Sequence, residues 1–160
     1  MNGNAHLVCF RVGRETYGVD IFVVREIVKA QEITSVPGAA DYVLGIINLR
    51  GKIISVVDLA QRLRLGRSTI DRNSRIVVVD LDGFTVGLLV DAATEVLKLT
   101  PESIEAAPEE LKGSVHDDYL EGVGKLEDRL VIILNPGNLL ADGEVTPVAA
   151  GEGARAKTPR

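Results

Sequence analysis

The chain has 160 residues, 46% of them apolar, and a formal net charge of -5, a length that suits one domain or two very small ones. The acidic balance argues against a nucleic-acid surface, which needs clustered Lys and Arg to neutralise phosphates. Cys9, the one cysteine, excludes a disulfide framework and favours a reducing, cytoplasmic setting, and the lack of any apolar run near the roughly 18 residues of a membrane span argues against membrane insertion.

In chain order, "HLVCF" from His6 is an apolar strand with Cys9 as a small core hydrophobe, and "ETYGVDIFVVREIV" from Glu15 reads as a returning strand, a short helical piece ending at Glu26, and a further strand. A loop around Pro37 leads to Tyr42-x-x-Gly45 and an apolar hairpin turning at Arg50-Gly51. "VDLAQRLRL" follows as a short helix with Asp58 at its N-cap. The polar stretch 66–74, "GRSTIDRNS", reads as a linker. After it come two strands around Asp82-Gly83, a short helix begun by Thr100-Pro101, and a last hairpin. Residues 141–160 carry too little apolar content to order themselves and are expected to form a flexible tail.

The same order of elements occurs twice. "LVCFRVGRETYGVDIFVVREIV" from Leu7 lies without a gap over "IVVVDLDGFTVGLLVDAATEVL" from Ile76, matching Thr16 to Thr85, Gly18 to Gly87 and Glu26 to Glu95. "YVLGIINLRGKIISVVD" from Tyr42 lies over "YLEGVGKLEDRLVIILN" from Tyr119, matching Gly45 to Gly122, Leu49 to Leu126 and Lys52 to Arg129. The duplication predicts an all-β protein of two small packed barrels with short helices, one over residues 7–65 and one over 75–140. The recurrence of Tyr42 and Tyr119 favours a structural role for both. Because Glu127 stands where the first unit has Arg50, a Glu26–Arg50 type of charge pair is expected in one unit only.

One motif competes with this reading. "RIVVVDLDGFT" from Arg75 resembles the nucleophile motif of haloacid-dehalogenase-type phosphatases, which would make Asp80 and Asp82 catalytic. That chemistry needs a helix after the motif, whereas "FTVGLLV" reads as a returning strand, and the first unit fills the same slot with "RVGR". A two-residue turn would set Leu81 opposite Phe84, Val79 opposite Val86 and Asp80 opposite Thr85. His6 and His116, the two histidines, stand in no metal-ligand spacing, and no phosphate loop, nucleophile elbow or dinucleotide fingerprint is present. Neither catalysis, nor a metal, nor a cofactor is expected.

At "VPGAADYVLGIINLRGKIISVVDL", Val36 to Leu59, the sequence resembles the bacterial chemotaxis adaptor family, CheW, and the likeness runs from about residue 7 to residue 140. The resemblance implies two SH3-like five-stranded barrels and a scaffold without enzymatic activity. Its implied partners are the cytoplasmic tips of methyl-accepting chemoreceptors and the regulatory domain of the histidine kinase CheA, a domain of the same fold. It further implies a cytoplasmic protein recruited to membrane-associated receptor arrays. The Arg of the family's "NLRG" motif and the Glu of its "VxEI" piece fall on Arg50 and Glu26, which implies a receptor-binding face. Val24, Val43 and Gly45 flank it as further candidates, while no kinase-contact residue is assigned.

Overall fold

The structure, a computed structural model, describes residues 4–81, 83–106 and 119–140. The expected tail over 141–160 lies outside the described residues, as does Asp82. Among the described residues eleven strands form two sheets. The first repeat supplies β1 (Ala5–Val12), β2 (Glu15–Asp20), β3 (Val24–Lys29), β4 (Val43–Leu49) and β5 (Lys52–Asp58), followed by helix α1 (Leu59–Arg62). The second supplies β6 (Arg75–Leu81), β7 (Phe84–Val90), β8 (Ala92–Leu99), the two-residue β9 (Ile104–Glu105), β10 (Leu120–Leu126) and β11 (Arg129–Leu134), followed by α2 (Pro136–Leu139). Apart from β9, whose place in the first repeat is held by the isolated bridge of Thr34 with Ile46, the second set repeats the order of the first.

The sheets do not divide the chain where the repeats do. One sheet has the order β8-β1-β2-β11-β10-β9 and the other β3-β6-β7-β5-β4. Each unit therefore lends its leading hairpin to the barrel built from the other unit's later strands. This corrects the expected boundaries: residues 7–65 and 75–140 are the two repeats but not two separate barrels. The exchange is sealed by two parallel pairings, β2 with β11 and β7 with β5.

The exchanged hairpins explain the runs "LVCF" and "IVVVDL". Leu7 and Cys9 of β1 face the interior of the six-stranded sheet, with Leu99, Val131 and Ile133. Val8, Phe10 and Val12 face the other way, into a layer shared with Val77, Val79, Val86 and Leu88 of the second sheet. On β6, Ile76 and Val78 in turn face the interior of the five-stranded sheet. A strand buried on both faces shows continuous rather than alternating hydrophobicity. Full burial of each such Val, Leu or Ile contributes about 1.5–3 kcal/mol, so the shared layer is what joins the two barrels.

The linker is not slack. Asp58 is fully buried, and its carboxylate accepts from the Ser68 backbone N–H at 2.9 Å and the Ser68 hydroxyl at 2.6 Å. Asp58 does precede α1, yet its side chain makes no capping bond. Its repeat counterpart Asn135 makes the expected cap, accepting from the Asn138 N–H at 3.1 Å. Holding the inter-repeat connection has displaced capping in the first unit.

A duplicated barrel mouth and the candidate functional site

Glu26 stands on a strand, not at the end of a helix. Only Ile21–Val23 form a 3-10 turn before β3 begins at Val24. The β-branched run Val23-Val24 and pairing with β6 override the short-helix expectation, and Glu95 likewise lies on β8. Each of the two strands carries a bulge at the same repeat position: the β3–β6 register shifts around Arg25 and the β1–β8 register around Thr94. A bulge re-aims the side chains that follow it. Val24 pairs with Val79 on the shared-layer face, whereas Glu26 pairs with Val78 on the barrel-interior face.

Arg50 reaches the same place from the β4–β5 hairpin. Its φ is +52° and that of Gly51 is +88°, as in a two-residue turn of the I′ type. The side chain of Asn48 accepts from the Gly51 N–H at 2.8 Å, locking the turn. For a residue with a Cβ the left-handed region costs about 1–2 kcal/mol, so Arg50 occupies a position that Asn or Gly would fill more comfortably. Its guanidinium is ion-paired to Glu26, and the Arg50 side chain stays 66% exposed, against 28% for that of Glu26. The pair rims a depression of about 280 Å³ lined also by Arg25, Leu49, Lys52 and Ile54.

The structure thus brings Glu26 and Arg50 together and leaves the other three candidates elsewhere. Val24 and Val43 are half-buried against the shared layer. Gly45 has φ +151°, and a Cβ built there would lie 2.0 Å from the carbonyl oxygen of Thr34. Its open side is filled by the chain's own backbone, where Thr34 and Ile46 form a bridge.

The charge pair is not confined to one unit. In the second barrel Arg129, at the start of β11, pairs with Glu95. The match of Lys52 to Arg129 is visible in the sequence, but the exchange of turn Arg for strand Arg becomes visible only when both hairpins are seen over their barrels. Exposed ion pairs contribute about 1 kcal/mol or less, so the packed interiors, not these pairs, hold the mouths in shape. Beneath the second mouth, Cys9 is fully buried and its thiol is pushed up to about 11 by that burial and by Glu95, with Arg129 opposing. It is a protonated core group at neutral pH.

Sequence reasoning also missed Arg62. Its guanidinium lies 4.5 Å from the Tyr42 ring centroid and 4.9 Å from that of Tyr119, the repeat-equivalent tyrosines. Its Nε–H donates to the Leu139 carbonyl at 2.7 Å. The backbone carbonyls of the same tyrosines accept from Asp58 and Asn135, each at 2.7 Å. The structural role expected for the tyrosines is borne out, and Arg62 of α1 ties the first repeat to the second.

Asp80 ends up as a surface residue of a hairpin. It stands opposite Thr85, with Leu81 opposite Phe84 and Val79 opposite Val86, in the register that a two-residue turn requires. Its carboxylate accepts from Arg25 Nη1 at 3.0 Å. β6 is followed by the returning strand β7 rather than by a helix, which overturns the phosphatase alternative. Among the described residues there is no group of three or more His, Cys, Asp or Glu arranged to hold a metal ion, and no helix long and apolar enough to cross a membrane.

Residues 6–144 match the family model described as a CheW-like domain. The chain is similar to the chemotaxis protein CheW of Klebsiella aerogenes, 34% identical over 139 residues that cover 87% of this chain and 83% of that protein. It is likewise similar to the chemotaxis protein CheW of Bacillus subtilis, at 34% identity covering 92% and 94% of the two chains. Among solved structures, the scaffolding protein TtCheW from Thermoanaerobacter tengcongensis superposes with a TM-score of 0.74 at 40% identity, covering 82% of this chain and 84% of that one. With the duplicated barrels, their exchanged hairpins and this likeness over most of its length, the chain belongs to the CheW family of chemotaxis adaptor and scaffold proteins.

Proposed function

We propose that this protein is a non-catalytic adaptor that couples the cytoplasmic tips of methyl-accepting chemoreceptors to the regulatory domain of the histidine kinase CheA, working in the cytoplasm at membrane-associated receptor arrays. The observation that carries the reading is Arg50: a bulky cation held at a left-handed φ in a locked turn, with its side chain largely exposed beside Glu26. Strained residues persist where the surroundings over-determine them, and they gather at ligand contacts. A rigid turn presents the planar donor fork of Arg with little left to order on binding. The receptor tip would seat on this mouth, with Val24, Val43 and Gly45 fixing β3 and β4 behind it.

The kinase would use apolar surface instead. Ile53 and its repeat counterpart Leu130 are 42% and 57% exposed on the outer faces of β5 and β11, and such residues supply the desolvated centre of an interface. A regulatory domain of the same fold could present matching surfaces. Receptor state would then reach the kinase as a difference in binding free energy between packed arrangements.

The test is binding of a receptor cytoplasmic fragment, with kinase activation read in parallel. Arg50→Glu and Glu26→Lys are each expected to weaken binding at least about tenfold while leaving thermal stability nearly unchanged, since the pair itself adds little to folding. The double variant Arg50→Glu/Glu26→Arg restores an internal ion pair but not the contact, so it should bind weakly too. Wild-type binding and kinase activation by both single variants would overturn the assignment.

A further inference from the structure

The two mouths share one ion-pair geometry but differ in what surrounds it. In the second barrel the cation at the start of the outgoing strand, Arg129, takes the strand carboxylate Glu95, and the turn position holds Glu127. In the first barrel the turn residue Arg50 has taken Glu26. A second cation of the rim, Arg25, is taken by Asp80 at 3.0 Å. Lys52, the counterpart of Arg129, is exposed and lines the same depression, and none of the ion pairs among the described residues includes it. An acidic protein thus carries one uncompensated ammonium at the rim of its proposed receptor-facing mouth, and the equivalent place in the other mouth is neutralised.

From this difference we infer that Lys52 is a specificity-determining contact, pairing with an aspartate or glutamate side chain on the receptor segment that seats against Arg50. The inference rests on the receptor-facing reading of the mouth and adds to it the chemistry of the ligand group. An ammonium on a four-carbon stem can follow a carboxylate over a range of positions, and a charge at an interface rim acts chiefly on association rate and salt dependence. Lys52 would select an acidic partner over a neutral one of the same shape, while the second mouth, with Glu127 in the turn, would not.

The experiment measures association of the full chain with a receptor cytoplasmic fragment at low and at high salt. Lys52→Gln should weaken low-salt binding about threefold, Lys52→Glu about tenfold, and both should flatten the salt dependence, whereas Lys52→Arg should bind as wild type. Arg129→Gln in the second mouth should leave receptor binding unchanged. If Arg50→Glu weakens binding while both neutralised and reversed Lys52 variants keep wild-type affinity and salt slope, the Lys52 inference fails and the receptor-facing mouth stands. If Arg50→Glu has no effect either, the mouth itself is misassigned and both fall.

Discussion

Gly45 marks a place where a single atom decides whether the first barrel closes. Its φ of +151° and the 2.0 Å that would separate a Cβ from the Thr34 carbonyl oxygen leave no room for alanine without moving backbone. Gly122, its counterpart, is tight but less so, at 2.9 Å from the Glu105 carbonyl oxygen, and its φ lies outside the glycine-favouring range. Gly45→Ala should therefore cost about 3 kcal/mol and Gly122→Ala about 1 kcal/mol, compared as midpoints of urea unfolding. Equal costs would mean that the bridge between Thr34 and Ile46 yields more easily than its geometry indicates. A loss of receptor binding in Gly45→Ala would in turn reflect the fold beneath the mouth. That separates it from Arg50, whose side chain is solvent-facing and whose replacement leaves the core untouched.

Among the elements, the four-residue helix α1 carries weight beyond its length. Arg62 is held between two tyrosines of different repeats and bonded to the end of α2. Arg62→Lys keeps the charge but loses the planar stack and the Nε–H donor, and should destabilise the protein by about 1–2 kcal/mol in urea unfolding, with Arg62→Ala at least as costly. Unchanged midpoints for both would show the stack to be incidental. The strands themselves were legible in the sequence because turn dipeptides and apolar runs bound them, and the β6–β7 register followed from the two-residue turn alone. What was not legible has specific causes. Glu26 followed a stretch whose local pattern suited a helical turn, and only pairing with β6 made it a strand. The bulge at Arg25 reverses which face Val24 shows, and single-sequence alternation cannot register an added residue. The Glu95–Arg129 pair needed the two hairpins in space, because its cation had moved from the turn to the adjoining strand.

At the scale of the whole molecule, the repeats predict the two barrels but not who fills them. Local repeat order says nothing about which copy of a hairpin a strand pairs with, and the burial of β1 and β6 on both faces is the one sequence trace of the exchange. The consequence is a single cooperative unit that presents two similar but differently charged mouths and repeated apolar outer positions, an arrangement suited to holding two different proteins at a fixed spacing. The coupling this implies is tested most directly by sedimenting receptor-containing membranes with CheA in the presence and absence of this protein. The kinase should enter the pellet in proportion to the adaptor added, and Arg50→Glu should leave both adaptor and kinase in the supernatant. A kinase that pellets equally well without the adaptor, or with Arg50→Glu in its place, would contradict the account.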